Sequence, residues 1–258
     1  MTITTAPSLP ASDVEAQLPP PPRLADAGGV SVFLDFDGTL VEIAARPADV
    51  VVPAGLPQAL LALSRRLEGR LAIVSGRGLA TLERMLDGIE VAMAGSHGGE
   101  FRPAGADRAQ ALADPLPEPV CLALDGFAQA NGGLVFEAKP YSAAVHYRDR
   151  PEIGEALHLY AVKLGEEHGL VVKHGKMVVE VTMPGSDKGN AVNRFMETVP
   201  FAGSRPLFVG DDVTDEDAFA AVRRFDGGGI LVGPMRPTQA LWRLDGVAAV
   251  YRWLEDQA

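Results

Sequence analysis

The chain has 258 residues, 47% of them hydrophobic and 22% charged, a balance that supplies a core for one large domain or two modest ones. Its 34 acidic side chains outnumber 23 basic ones, for a formal net charge of −11, so its field repels nucleic acid and anionic membranes and argues against a polyanion partner. The single Cys121 excludes an intrachain disulfide and, between Val120 and Leu122, is expected to be a small core residue.

No stretch reaches the ~18 apolar residues of a membrane-spanning helix, and no basic region followed by an apolar run opens the chain. A cytoplasmic monomer without a membrane partner is the expectation. Residues 1–28, rich in Ala, Ser, Thr and Pro with four prolines at 19–22, read as a disordered tail. From Val30 onward, short apolar runs alternate with amphipathic stretches, the pattern of a parallel α/β sheet. A strand over 30–34 runs into Asp35, and a helix with Leu60, Leu61, Leu63 and Leu67 on one face follows. A strand over 71–74 runs into Ser75-Gly76-Arg77, a helix carries Leu79, Leu82 and Leu86, and a strand over 91–94 opens into Gly95-Ser96-His97-Gly98.

Over 107–183 the rhythm changes to helix (120–130), two strands (134–139, 143–147), helix (153–168) and two strands (170–173, 177–182). This reads as a smaller α+β cap domain inserted into a core formed by 29–106 and 184–258. The first rhythm then resumes with a helix over 188–198, a strand over 207–209, a helix over 214–223, a strand over 230–232 and a helical tail around Trp242 and Trp253, both expected as core anchors.

Asp35-Phe36-Asp37-Gly38-Thr39-Leu40 sets two carboxylates two residues apart directly after an apolar strand, where open α/β sheets bind ligands. A second acidic run, Asp211-Asp212-Val213-Thr214-Asp215-Glu216-Asp217, follows the strand at 207–209 in the same way. Carboxylates converging there call for a cation, and all-oxygen ligation suits Mg²⁺ better than zinc. Ser75 ends another strand and can donate to phosphoryl oxygens, with the amide of Gly76 beside it. Lys188 opens a helix, so ammonium and helix terminus both favour an anion. A calcium-loop reading of Asp35 to Gly38 fails, since no Glu stands at the twelfth position and a strand precedes it. Residues 169–177 lack the spacing and hydroxyl of a Walker loop, and Gly76-Arg77-Gly78 is a fragment of a dinucleotide fingerprint.

These segments, in this order, resemble the four motifs of the haloacid dehalogenase (HAD) phosphatases, whose fold is a Rossmann-like α/β core with an inserted cap. The resemblance implies that Asp35 is the nucleophile and Asp37 the acid and then the base. Asp35, the Asp37 carbonyl and Asp211 would hold Mg²⁺, with Asp212 or Asp215 in support, and Lys188 would join Ser75 on the phosphate. Within that superfamily, Ser75-Gly76-Arg77, Gly95-Ser96-His97-Gly98-Gly99-Glu100 and Gly210-Asp211-Asp212-Val213-Thr214-Asp215-Glu216 are similar to the trehalose-6-phosphate phosphatases. The inserted unit adds Glu137-Ala138-Lys139, His146-Tyr147-Arg148 and Gly175-Lys176-Met177-Val178-Val179-Glu180.

The implied substrate is trehalose 6-phosphate, with His97, Glu100, Lys139, Arg148, Lys176 and Glu180 as candidate contacts and Arg77 as a brace for the loop after Ser75. The family often places a basic residue shortly before the proline ending the last cap strand, where this chain has Thr182-Met183-Pro184. A phosphatase for sucrose phosphate or mannosyl phosphoglycerate, and a non-catalytic sugar-phosphate-binding regulatory domain, are the alternatives.

Overall fold

A computed structural model describes residues 18–24, 29–44, 46–106, 108–111, 114–132, 134–175 and 177–255. The first half of the core comprises β1 (Val30–Leu34), α1 (Leu56–Arg66), β2 (Leu71–Val74), α2 (Leu79–Met85), β3 (Ala92–Gly95), β4 (Glu100–Arg102) and β5 (Gln110–Ala111). The inserted unit follows with α3 (Glu118–Ala130), β6 (Val135–Ala138), β7 (Ser142–His146), α4 (Gly154–His168), β8 (Val171–Gly175) and β9 (Val178–Thr182). The chain then returns through α5 (Lys188–Met196), β10 (Arg205–Gly210), α6 (Glu216–Arg223), β11 (Gly228–Val232), β12 (Trp242–Leu244) and α7 (Val247–Glu255).

The larger sheet has the order β12-β11-β10-β1-β2-β3-β4-β5. It is parallel from β12 to β3 and antiparallel from β3 to β5. Both faces are covered, as a parallel sheet requires. Strand β1 shows how the sequence serves both: Val32 and Leu34 join one cluster with Leu60 of α1, Leu82 of α2 and Trp253 of α7. Phe33 points the other way, to Val192 and Phe195 of α5 and Phe219 of α6. Because β1 lies between β10 and β2, the chain leaves its carboxyl end in opposite directions, which opens a crevice there.

The smaller sheet is antiparallel, in the order β6-β7-β9-β8. Val145, Val179 and Val181 pack with Phe136 against α3 and α4, and Cys121 lies partly buried against that cluster. In the register Glu137↔Ala144↔Glu180↔Lys173, three of the four residues of the opposite face carry charge.

Three readings need correction. The segment around Trp242 is not helical but a parallel edge strand, β12, with Trp242 packed partly buried on the core. The short strands β4 and β5 were not foreseen; elements of two or three residues carry no readable period, and β4 is held by pairing with β3 and β5 by pairing with β4. Residues 18–24, expected within a disordered tail, lie against the core: Leu24 is buried, the Pro19 carbonyl accepts from the Arg243 amide, and the Pro22 carbonyl accepts from Trp253 Nε1. Proline-rich backbone keeps its carbonyls free, and these two find donors on the core. The remainder of that expected tail, residues 1–17 and 25–28, lies outside the described residues. No helix among the described residues is long and apolar enough to cross a membrane.

Candidate active site

The ends of β1 and β10 determine the site. Their register pairs Leu34 with Val209, and the Asp35 amide donates to the Val209 carbonyl at 2.9 Å, so Asp35 and Asp211 leave adjacent strands side by side. Gly38, at φ 79°, turns the chain beneath them; a Cβ there would collide with the Asp211 carboxylate, so glycine is needed for close approach as well as for conformation.

Lys188 is the first residue of α5, a place where the helix dipole disfavours a cation. Two carboxylates offset that cost. Lys188 Nζ donates to Asp35 Oδ1 at 2.6 Å and to Asp215 Oδ1 at 2.6 Å, with the three side chains 3%, 5% and 0% exposed. The second Asp215 oxygen accepts from the Asp212 amide at 2.9 Å. Asp187 caps the helix by accepting from the Asn190 amide, which fixes the direction in which Lys188 departs.

Asp35, Asp211 and Asp215 each bring a carboxylate oxygen within 4.8 Å of the others. Three carboxylates thus face one buried ammonium, and the imbalance shows in the titrations. Burial, then the neighbouring carboxylates, pushes Asp211 up to about 7. Asp35 is also raised by burial, against the pull of Lys188. Lys188 is held protonated, because Asp215 and Asp35 outweigh the effect of its burial. Asp211 Oδ1 is buried without a hydrogen-bond partner, whereas both Asp215 oxygens are occupied by donors. An all-oxygen pocket with surplus negative charge and an orphaned carboxylate oxygen fits a hard divalent cation.

Ser75, 1% exposed, accepts from the Arg77 amide at 3.1 Å through Oγ, which leaves its hydroxyl proton free to donate. Above it, Ser96 and His97 both take left-handed backbone conformations, φ 50° and 56°. Such strain concentrates at functional sites. The His97 ring then lies over Gly76, where a Cβ would come 2.6 Å from Nε2. Burial lowers the imidazole to about 4, keeping it neutral. Arg77 does more than brace its loop: its guanidinium grips Asp37 through both oxygens, at 2.6 and 2.7 Å.

The opposite wall is the charged face of the smaller sheet. Glu137 and Lys139 line the same cleft as Asp35, Ser75, His97 and Lys188, whose volume is about 660 Å³. Glu137 meets His146 Nε2 at 3.1 Å, and that contact holds its carboxylate below the usual range. Glu180 accepts from Ser142 Oγ at 2.8 Å and from Lys139 Nζ at 3.5 Å. Burial alone would raise Glu180, but the Lys139 ammonium and the Ser142 hydroxyl beside it outweigh that effect and hold it below the usual range.

Of the residues expected from sequence, Asp35, Asp37, Ser75, Gly76, His97, Lys139, Lys188, Asp211 and Asp212 line the cleft. Asp215 lies beneath it, and between the two candidate supports it is Asp215 that touches Lys188, whereas Asp212 is exposed at the rim and caps the turn at 213–215. Glu180 stands behind Lys139. Glu100 and Arg148 are not among the residues that line the cleft. Glu100 accepts from the Leu79 amide and Ser96 Oγ, both at 2.9 Å, and so ties the start of α2 to the His97 loop. Arg148 is exposed in the turn after β7, two residues beyond the strand's last residue, His146. Lys176 lies outside the described residues. Met183, where a basic residue is common in the resembling family, packs against the apolar side of the smaller sheet. Glu137, Thr81 and Thr214 were missed as lining residues; the two-residue spacing from Glu137 to Lys139 was the available signal.

Comparison with known proteins agrees with this geometry. A family model described as trehalose-phosphatase matches residues 33–248. Over 225 residues the chain is 38% identical to the trehalose-6-phosphate phosphatase of Escherichia coli (strain K12), covering 86% of this chain and 84% of that protein. A probable trehalose-phosphate phosphatase of Sinorhizobium fredii is 35% identical over 230 residues, covering 87% and 86%. In three dimensions the C-terminal domain of the trehalose-6-phosphate phosphatase of C. albicans superposes with a TM-score of 0.78 at 23% identity, over 94% of this chain and 98% of that one. Motif order, strand-end carboxylates, fold and sequence identity agree, and the chain belongs to the trehalose-phosphatase family, on the HAD fold.

Proposed function

We propose that this protein hydrolyses the phosphomonoester of trehalose 6-phosphate in a Mg²⁺-dependent reaction that passes through a phosphoryl group on Asp35. The observation that carries the reading is the buried charge cluster: three carboxylates, one ammonium and an unpartnered Asp211 oxygen at the floor of a cleft walled by a second domain. Asp35, the Asp37 carbonyl and Asp211 would hold Mg²⁺, with Asp215 fixing Lys188 beside them. Bound there, the ion neutralises charge on the phosphoryl oxygens.

The protein's own groups account for the rest. Asp35 Oδ attacks phosphorus while the bond from phosphorus to the sugar oxygen breaks, and the Asp37 carboxyl gives its proton to that oxygen. Asp37 then takes a proton from a water that attacks the aspartyl-phosphate, so phosphate leaves and Asp35 is restored. Lys188 and Ser75 hold the transferring oxygens throughout. Asp37 is gripped at both oxygens by Arg77, so its turn as acid requires the carboxyl to leave that fork. Residues 107–183 act as a cap that excludes water during attack and readmits it for hydrolysis. A cleft of about 660 Å³ suits a disaccharide phosphate, and Glu137, Lys139 and Glu180 offer charge-assisted hydrogen bonds to sugar hydroxyls.

The test is phosphate release from trehalose 6-phosphate, sucrose phosphate and mannosyl phosphoglycerate, each with Mg²⁺ and with chelator. Trehalose 6-phosphate should turn over fastest, only with metal, and not at all in Asp35→Asn. Equal or faster release from sucrose phosphate overturns the sugar assignment, and turnover undiminished by chelator overturns the metal. Binding without turnover in the unmodified protein would make it a regulatory domain.

A further inference from the structure

The acidic loop after β10 is held from outside the cleft by a residue that no motif reading singled out. Arg236, in the loop that follows β11, donates to the Asp212 carbonyl through Nη2 at 2.7 Å and to the Asp211 carbonyl through Nε at 3.4 Å. Its Nη1 pairs with Glu216 Oε1, the carboxylate that opens α6. Glu216 in turn accepts from Thr238 Oγ1 at 2.8 Å and from the Gln239 amide at 2.7 Å. One guanidinium thus joins two consecutive carbonyls and a carboxylate. Arg236 and Glu216 are only 21% and 18% exposed, so water competes weakly for these bonds.

We infer that Arg236, locked by Glu216, is a positioning residue that fixes the Asp211–Asp212 backbone in the conformation that presents the Asp211 carboxylate to a divalent cation. The inference rests on the metal reading of the cluster above. The physical need is evident from the cluster itself. Asp211 has a buried oxygen without a donor beside two further carboxylates, so repulsion favours swinging it out of the cleft. A loop free to do so would have to be reordered each time a cation bound, at a cost in entropy. Anchoring the carbonyls from behind prevents the swing and uses none of the oxygens a cation needs. The guanidinium also brings a positive charge to the acidic loop without entering the cleft. A lysine cannot replace it, because an ammonium has no planar fork with which to hold two adjacent carbonyls and a carboxylate together.

The experiment is calorimetric titration of Mg²⁺ into the full-length protein, without substrate, for the unmodified chain, Arg236→Gln, Arg236→Lys and Glu216→Gln. Steady-state kinetics at saturating Mg²⁺ accompany it. Both arginine variants should weaken Mg²⁺ binding by roughly 10- to 100-fold, and Glu216→Gln by a smaller factor. At saturating Mg²⁺ the KM for the sugar phosphate should stay within about twofold of the unmodified value. A merely structural role would lower thermal stability while leaving the Mg²⁺ affinity unchanged, and that result overturns the inference. So does an Arg236→Lys protein that binds Mg²⁺ as tightly as the unmodified chain. If Arg236→Gln does not fold, Glu216→Gln decides: unchanged Mg²⁺ affinity overturns the inference, and weakened affinity supports it. An unmodified protein that binds no Mg²⁺ refutes the metal reading itself, a result distinct from any of these.

Discussion

On the floor of the cleft, Lys188, Asp35 and Asp215 are 3%, 5% and 0% exposed and joined at 2.6 Å; on its roof, Glu137 and His146 are both 42% exposed and meet at 3.1 Å. Burial makes each charge on the floor dependent on its neighbours, since an uncompensated ion there has no water to turn to. On the roof, solvent screens the Glu137–His146 pair, so either side chain can exchange its partner for a ligand hydroxyl at little cost. The floor is therefore suited to one fixed chemical task, and the roof to recognition.

Removing charge from each wall would test that contrast. Lys188→Met should have the largest effect, because it leaves Asp35 and Asp215 buried without a counter-charge. We expect a loss of about 3–5 kcal/mol in urea unfolding and a fall of roughly 10²- to 10³-fold in kcat/KM; retention of both would mean that the floor charges are compensated some other way. His97 lies on the core wall, over Gly76. Its folded value of about 4 lies below the ordinary 6.5, so between these limits the unfolded chain binds a proton that the folded chain refuses. Stability from this source is complete above pH 6.5 and is lost progressively down to pH 4. Melting followed from pH 7 to 4 should be steeper for the unmodified chain than for His97→Asn, by up to about 3 kcal/mol across the window.

Effects on the roof should be smaller and confined to binding. Glu137→Gln and Lys139→Ala should each raise KM about tenfold, with kcat within about threefold and little change in stability. A fall in kcat equal to the rise in KM would place these groups in the chemistry and erase the distinction. Arg148→Ala, exposed beyond the end of β7, should leave both constants within about twofold.

Much of the floor was legible because its acidic and hydroxyl residues follow apolar runs, Asp35 after 30–34, Ser75 after 71–74 and Asp211 after 207–209 and a glycine, while Lys188 opens a helix. A parallel sheet necessarily gathers such strand ends at one edge. Arg77 and Arg236 were not legible in these roles. Their partners Asp37 and Asp212 lie 40 and 24 positions away, and both arginines come from loops without a period. On the roof, alternation along β9 announced a charged face, but not that Lys173 would complete its row and reach Asp217 of α6 at 3.3 Å. The end of β7 before Arg148 was hidden for the complementary reason, since strand termini are where a period of two gives no warning that it has ended. The edge strand β12 is too short to have a pattern at all.

The return path of the chain from the smaller sheet has one further consequence. Ser186 Oγ donates to the Ser96 carbonyl at 3.0 Å and Asp187 caps α5, so the backbone is pinned just before Lys188. Gly185, at φ 81°, is the last freely turning residue upstream of that anchor. A rotation of the inserted unit about Gly185 would therefore stop short of the ammonium that balances Asp35. In evolutionary terms this would make the insertion a replaceable cassette: if it is the lid proposed above, splicing a different one between residue 111 and Gly185 would alter which sugar is admitted while the machinery beneath it is inherited unchanged.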